Sequence, residues 1–321
     1  MKLSILDQAP VSVNMSVSEA LSNSVKLAIL GDELGYTRFW LAEHHGMTGL
    51  SSSAPEVTLG GIGMVTEKIR LGSGATLLPY YKPYKVADVF NTLGTLYGDR
   101  IDIGIGRAPG GGNKASEALS DNYLQHVFKM PDLVSELKGF INNADKELQA
   151  MPLPASPPHL WMLGTSEKSA VFARDNNINY CFGKFMSDSD PEHVLNTYRE
   201  RGQSGEVIVT VNVFCHEDDE VARKLAYSYA VSQSLKATAG RTFNGVPSPE
   251  ATADVELTED EEQEAEKILA NLIVGTPEKV KKELTDFAEA YQVDEFMIVT
   301  ITHNIEDKLN SYRLLADSLL K

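Results

Sequence analysis

Cysteine is scarce. Cys181 and Cys215 are the only two in 321 residues, too few for a disulfide framework or a cysteine-based zinc site. Basic side chains are outnumbered 29 to 45, for a net charge of −16. Nucleic acid and anionic membrane, both polyanions, are therefore excluded as expected partners. No apolar run approaches the roughly 18 residues that a membrane-crossing helix needs. The seven histidines contain no HxH or HExxH pattern, so no local metal motif stands out. A GxSxG elbow and an in-frame Walker lysine are also missing, and a dinucleotide fingerprint fails at Pro109, where glycine would be required. Met1-Lys2-Leu3-Ser4-Ile5-Leu6-Asp7 reads as a short strand, not a signal peptide. What remains is the expectation of a soluble, cytoplasmic, reduced protein.

Hydrophobic residues make up 42% and charged residues 23%, an ordinary globular balance. Strand-like runs alternate with helix-like ones. The eight strand-like runs are Leu3 to Leu6, Phe39 to Ala42, Ile69 to Leu78, Ile101 to Ile105, Leu160 to Leu163, Tyr180 to Phe185, Val207 to Cys215 and Glu295 to Thr300. Val17 to Leu34 keeps helical spacing at Val17, Leu21, Val25 and Ala28, with Gly35 at its stop. Eight β-then-α units predict an α/β fold, a (β/α)8 TIM barrel, as a single domain over 1–321 with an insertion before the last unit. A doubly wound sheet usually stops at five or six strands. Lys236 to Thr258 interrupts the alternation with Gly240, Gly245, Pro247 and Pro249. It reads either as a solvated insertion or as a mobile lid.

Barrel chemistry sits where strands end, which filters the candidates. Glu43-His44-His45 ends the second run. Neighbouring residues on a strand point apart, so the two histidines do not share an ion. A single histidine can move a proton near neutrality, with Glu43 a possible partner for His44, while His45 points away into packing. In Ile101-Asp102-Ile103-Gly104-Ile105-Gly106-Arg107 the isoleucines face one side and Asp102, Gly104 and Gly106 the other, where the glycines leave room. Arg107 emerges at the end as a clamp for phosphate or carboxylate. Gly164-Thr165-Ser166, followed by Ser169, is a Gly turn with hydroxyls opening a helix, an anion site by geometry and equally an ordinary N-cap.

These residues resemble a known family, the bacterial luciferase-like, flavin-dependent oxidoreductases. The matching blocks run from Leu34 to His45, from Ile69 to Pro79, from Gly98 to Arg107 and from Val274 to Val280. The resemblance implies a TIM-barrel monooxygenase that uses reduced FMN and O2 on a small organic substrate. It also implies a homodimer, joined through helices of the first half of the barrel, and a separate flavin reductase. By the same resemblance Arg107, Ser166 and Ser169, with Gly164 and Thr165, would hold the FMN phosphate. Ala75 would lie against the flavin ring, in a Gly74–Ala75 peptide that the family often holds cis, and His44 matches its active-site histidine. Ala108-Pro109-Gly110-Gly111-Gly112 departs from the luciferases proper, which argues against light emission. A deazaflavin (F420)-dependent oxidoreductase of the same superfamily and a non-catalytic flavin-binding relative are the alternatives.

Overall fold

Eight runs of alternating or continuous apolar residues become strands in the computed structural model, which describes residues 1–144, 147–203, 205–238 and 240–321. Among these residues nine strands form: β1 (Lys2–Asp7), β2 (Arg38–Leu41), β3 (Arg70–Leu77), β4 (Ile101–Gly106), β5 (His159–Gly164), β6 (Asn179–Gly183), β7 (Val207–Cys215), β8 (Ile273–Gly275) and β9 (Glu295–Val299). Helices intervene, and the fold is the (β/α)8 TIM barrel expected, with β1 to β7 and β9 supplying its eight strands. The unexpected strand is β8. Only three residues long, ending on Gly275 at φ +150° with a helix starting at Pro277, it is too short for alternation to reveal.

The chain divides into two compact units, Met1–Thr37 with Thr48–Ser51 and Val209–Lys321, and Arg38–Met47 with Ser52–Ile208. In the first, β1 pairs parallel with β9 and β7 with β8. Lys308 and Asp7 form a buried ion pair at 2.6 Å. The segment at 236–258, apart from position 239, which lies outside the described residues, is anchored here. Val246 N–H donates to the Val11 carbonyl (2.8 Å), and the Val246 carbonyl accepts from Val13 N–H (2.9 Å) and lies 2.8 Å from His303 Nδ1. Gly245 sits at φ +116°, and a Cβ there would lie 2.5 Å from the Val11 carbonyl oxygen. Only glycine passes so close with that backbone. Gly245 thus lets the segment pass close against Val11 to Val13.

In the second unit the strands run in the order β6-β5-β4-β3-β2, all parallel. Their starting ends carry a buried charge cluster. The Asp102 carboxylate, wholly buried, accepts from Arg38 (2.9 Å), Arg70 (2.7 Å) and the Trp40 indole (3.0 Å). Gly72 is the register partner of both Trp40 and Asp102, and a Cβ there would lie 2.7–2.8 Å from their side chains. The glycine is what lets the indole reach the carboxylate. A buried carboxylate is tolerated because its lone pairs are taken up by charged and neutral donors.

Candidate functional site

All of the expected site residues lie in the second unit, at the finishing ends of β2 to β5. Glu43, His44 and His45 follow β2, Ala75 is near the end of β3, Arg107 follows β4, and Gly164 to Ser166 close β5. Gly74 and Ala75 are half-buried, while Leu71 to Ser73 before them and Thr76 after them are buried. The peptide between Gly74 and Ala75 is cis, as expected, and the β3–β4 register shifts at the same place, between Ser73 and Thr76.

Glu43 joins these ends together. It is 4% exposed. Its Oε1 accepts from the Tyr81 phenol (2.5 Å) and lies 2.8 Å from His45 Nε2, while Oε2 accepts from Leu77 N–H (2.9 Å). Glu43 thus orients His45, which sequence had assigned mainly to packing. Burial, reinforced by the bond to Glu43 and its charge, pushes the Tyr81 phenol well above its ordinary pKa. His44 is half-buried, and its backbone N–H donates to the Ser52 carbonyl (2.8 Å).

The glycines after Arg107 close the other side. His45 N–H donates to the Gly110 carbonyl (2.8 Å), and a Cβ at Gly111 would lie 2.3 Å from the His45 carbonyl oxygen. The room expected beside Gly104 and Gly106 is not open space. A Cβ at Gly104 would meet the Ser73 carbonyl oxygen at 2.1 Å, and one at Gly106 would meet the Ala75 Cβ at 3.1 Å. These glycines instead let β3 and β4 approach closely, which brings Ala75 beside the residue that precedes Arg107.

Arg107 is half-buried, and its carbonyl accepts from the Tyr123 phenol at 2.7 Å. Ser166 caps the helix Glu167–Asp175. Ser169, 2% exposed, accepts from Ser166 N–H (3.1 Å), donates to the Ser166 carbonyl (2.5 Å) and lies 2.9 Å from the Tyr180 hydroxyl. Burial raises the Tyr180 phenol pKa, and the positive charge of Arg107 acts against that rise. Arg107 follows β4 and the Ser166 turn closes β5, the strand paired beside it, and Tyr180 bonds to that turn. Sequence reading missed this residue, since one tyrosine in an apolar strand looks like core.

Among the described residues no group of three or more His, Cys, Asp or Glu side chains could hold a metal ion. No described helix is long and apolar enough to cross a membrane.

The family model described as luciferase-like monooxygenase matches residues 1–293. Among curated proteins, the uncharacterized protein YwcH of Bacillus subtilis is 38% identical, covering 98% of both chains. N-acetyl-S-alkylcysteine monooxygenase of the same organism is 34% identical, covering 99% of this chain and 98% of the other. Among solved structures, apo-MsnO8 superposes with a TM-score of 0.87 at 31% identity, covering 99% of this chain and 98% of that one. At 17% identity and a TM-score of 0.72, the oxygenating constituent of 3,6-diketocamphane monooxygenase from Pseudomonas putida, solved with FMN, shares the fold over 98% of this chain and 96% of its own. An F420-dependent secondary alcohol dehydrogenase shares it at 14% identity and a TM-score of 0.67, over 99% and 98%.

Proposed function

The chain belongs to the luciferase-like monooxygenase family, and on that premise we propose that it is an FMN-dependent monooxygenase acting on a small organic substrate. One observation supports this reading above the others. Arg107, a cation half-withdrawn from water, follows β4, and the Gly164-Thr165-Ser166 turn ends the neighbouring strand β5 at the mouth of a helix. A guanidinium, backbone N–H groups and hydroxyls are the donor set that a phosphate monoester requires. The half-buried Gly74–Ala75 peptide, with no bulky side chain, suits the face of a flat ring.

Bound reduced FMN would supply the electrons that activate O2. This chain's own work is to hold the phosphate with Arg107, Thr165 and Ser166, to present Ala75 to the ring, and to move a proton at the His44 imidazole. An imidazole has an ordinary pKa of about 6.5 and so transfers protons near neutrality without a large shift. The buried Glu43 hub fixes the strand end from which His44 projects. A separate reductase would furnish the reduced flavin in the cytoplasm. Because a 34% identical relative is named for an N-acetyl-S-alkylcysteine, thioethers are the first substrates to try.

We also propose a homodimer. Val57, Met64, Val65 and Leu96 are 50–77% exposed. They lie on or beside the helices Pro55–Gly63 and Pro83–Tyr97, which are tied by the Tyr97 hydroxyl to the Gly60 carbonyl. An apolar patch of this kind suits a self-complementary contact.

The test is a fluorescence titration with FMN. A charge-assisted bond contributes about 1.5–3 kcal/mol, so Arg107→Ala should weaken binding roughly 10- to 150-fold. Equal affinity in the two proteins, or tighter binding of a deazaflavin than of FMN by the wild type, overturns the reading.

A further inference from the structure

The hydroxyl of Ser169 is ringed by three protein partners. A serine hydroxyl offers one donor and two acceptor sites. It lies 2.5 Å from the Ser166 carbonyl, accepts from Ser166 N–H at 3.1 Å and lies 2.9 Å from the Tyr180 hydroxyl. The Tyr180 hydroxyl also reaches the Ser166 carbonyl itself, at 3.4 Å, so it bears on the same turn both directly and through Ser169. Gly164 leaves the side chain its place, since a Cβ there would lie 2.2 Å from both Ser169 Cβ and Oγ. The phenol is equally constrained. Tyr180 is wholly buried, its ring stacks on Tyr198 at 5.4 Å, and the Tyr198 hydroxyl is held by the Ile178 carbonyl at 2.9 Å. Burial raises the pKa of the Tyr180 phenol, so its hydroxyl stays protonated.

We propose that Tyr180 is a positioning residue for the flavin phosphate. Acting directly and through Ser169, it fixes the amide and carbonyl of Ser166, so that the phosphate meets Arg107, Thr165 and Ser166 and does not touch Ser169. This rests on the FMN reading above and deepens it. A turn held from behind by two buried hydroxyls keeps its donors aimed before the ligand arrives, which lowers the ordering cost of binding. Ser169, included among the phosphate ligands by resemblance, becomes part of the support.

The experiment titrates purified wild type, Tyr180→Phe, Ser169→Ala and the double variant with FMN and with riboflavin, the same ring without phosphate. Wild type should prefer FMN. Each single variant should weaken FMN binding by about 3- to 10-fold, the size of one neutral hydrogen bond, and leave riboflavin affinity within about twofold. The double variant should lose less than the sum of the two single losses, since both changes act on one turn. A Tyr180→Phe protein that binds FMN like the wild type overturns the proposal. So does equal loss of FMN and riboflavin, which would mark a general structural role. A loss of 100-fold or more in Ser169→Ala, the mark of a direct ligand, overturns it even if Tyr180→Phe does not fold. If wild type binds FMN and riboflavin equally, the phosphate reading itself fails, an outcome distinct from the others.

Discussion

Replacing Glu43 by glutamine changes one oxygen to an amide nitrogen and should expose how much that carboxylate holds. Oε1 serves both Tyr81 and His45, and Oε2 serves Leu77 N–H. A glutamine can keep its oxygen toward Tyr81 and His45, but its NH2 then faces the Leu77 N–H, donor against donor. One buried backbone donor loses its partner, at a cost of about 1–3 kcal/mol. The two surviving bonds lose their charge assistance, roughly 0.5–1 kcal/mol each. The total is about 2–5 kcal/mol. With an unfolding entropy near 2.1 cal/mol/K per residue, a chain of 321 residues should melt roughly 3–7 °C lower. The assay is thermal unfolding followed by circular dichroism, paired with an alkaline titration of tyrosine absorbance. Because the Glu43 bond and charge both add to the rise of the Tyr81 pKa, one phenol should ionise at lower pH in the variant. An E43Q protein that melts with the wild type would refute the hub.

Three further outcomes are expected. His44→Ala should retain near-normal FMN affinity and slow turnover by about 10²- to 10⁴-fold, the usual range for a general acid or base; stopped-flow mixing of the reduced-flavin complex with oxygenated buffer and substrate measures it, and a wild-type rate removes the role. The bond to Arg241 holds the Glu261 carboxyl below the usual carboxylate range, with the Thr258 backbone bond assisting. Its contribution is therefore present above the unfolded pKa of about 4.3 and lost as pH falls from there toward the folded value. Urea unfolding across that window should show the loss in wild type and little of it in Arg241→Ala. Light scattering at micromolar concentration should give about twice the 35.1 kDa chain mass, and Met64→Glu should shift the protein toward the monomer.

Local pattern carried the strands. Ile101 to Ile105 alternates so strictly that β4 could be placed by inspection, and the same holds for the ends on which Glu43, Ala75, Arg107 and Ser166 sit. Long-range partners were not legible, because nothing near Asp102 in sequence announces that Arg38 and Arg70 will close on it. Likewise, the bond between Glu43 and His45 was not legible, since direction along a strand end depends on the bend that Gly110 and Gly111 impose from 65 or more residues away. Gly245 was ambiguous for a related reason. Glycine marks both flexible chain and tight approach, and only the Val11 carbonyl against it tells which. Tyr180 shows the limit at its plainest, for a hydroxyl in contact with Ser169 leaves no trace in residue spacing.

The cluster around Asp102 has a consequence for how the chain finds and keeps its pairing. Side chains on a strand alternate, so sliding β4 by one residue would turn Asp102 to the opposite face, taking its carboxylate from Arg70 and leaving Arg38 with the more exposed Glu206 alone. Arg38, Arg70 and Asp102 thus act as a lock on alignment, set at the opposite ends of the strands from His44, Ala75 and Arg107. With alignment secured there, the connections following β2, β3 and β4 are relieved of that duty. Exchanging the connection at 113–122 for one of different length should leave the strand pairing intact, so the same frame can accept new loops without relearning how to fold.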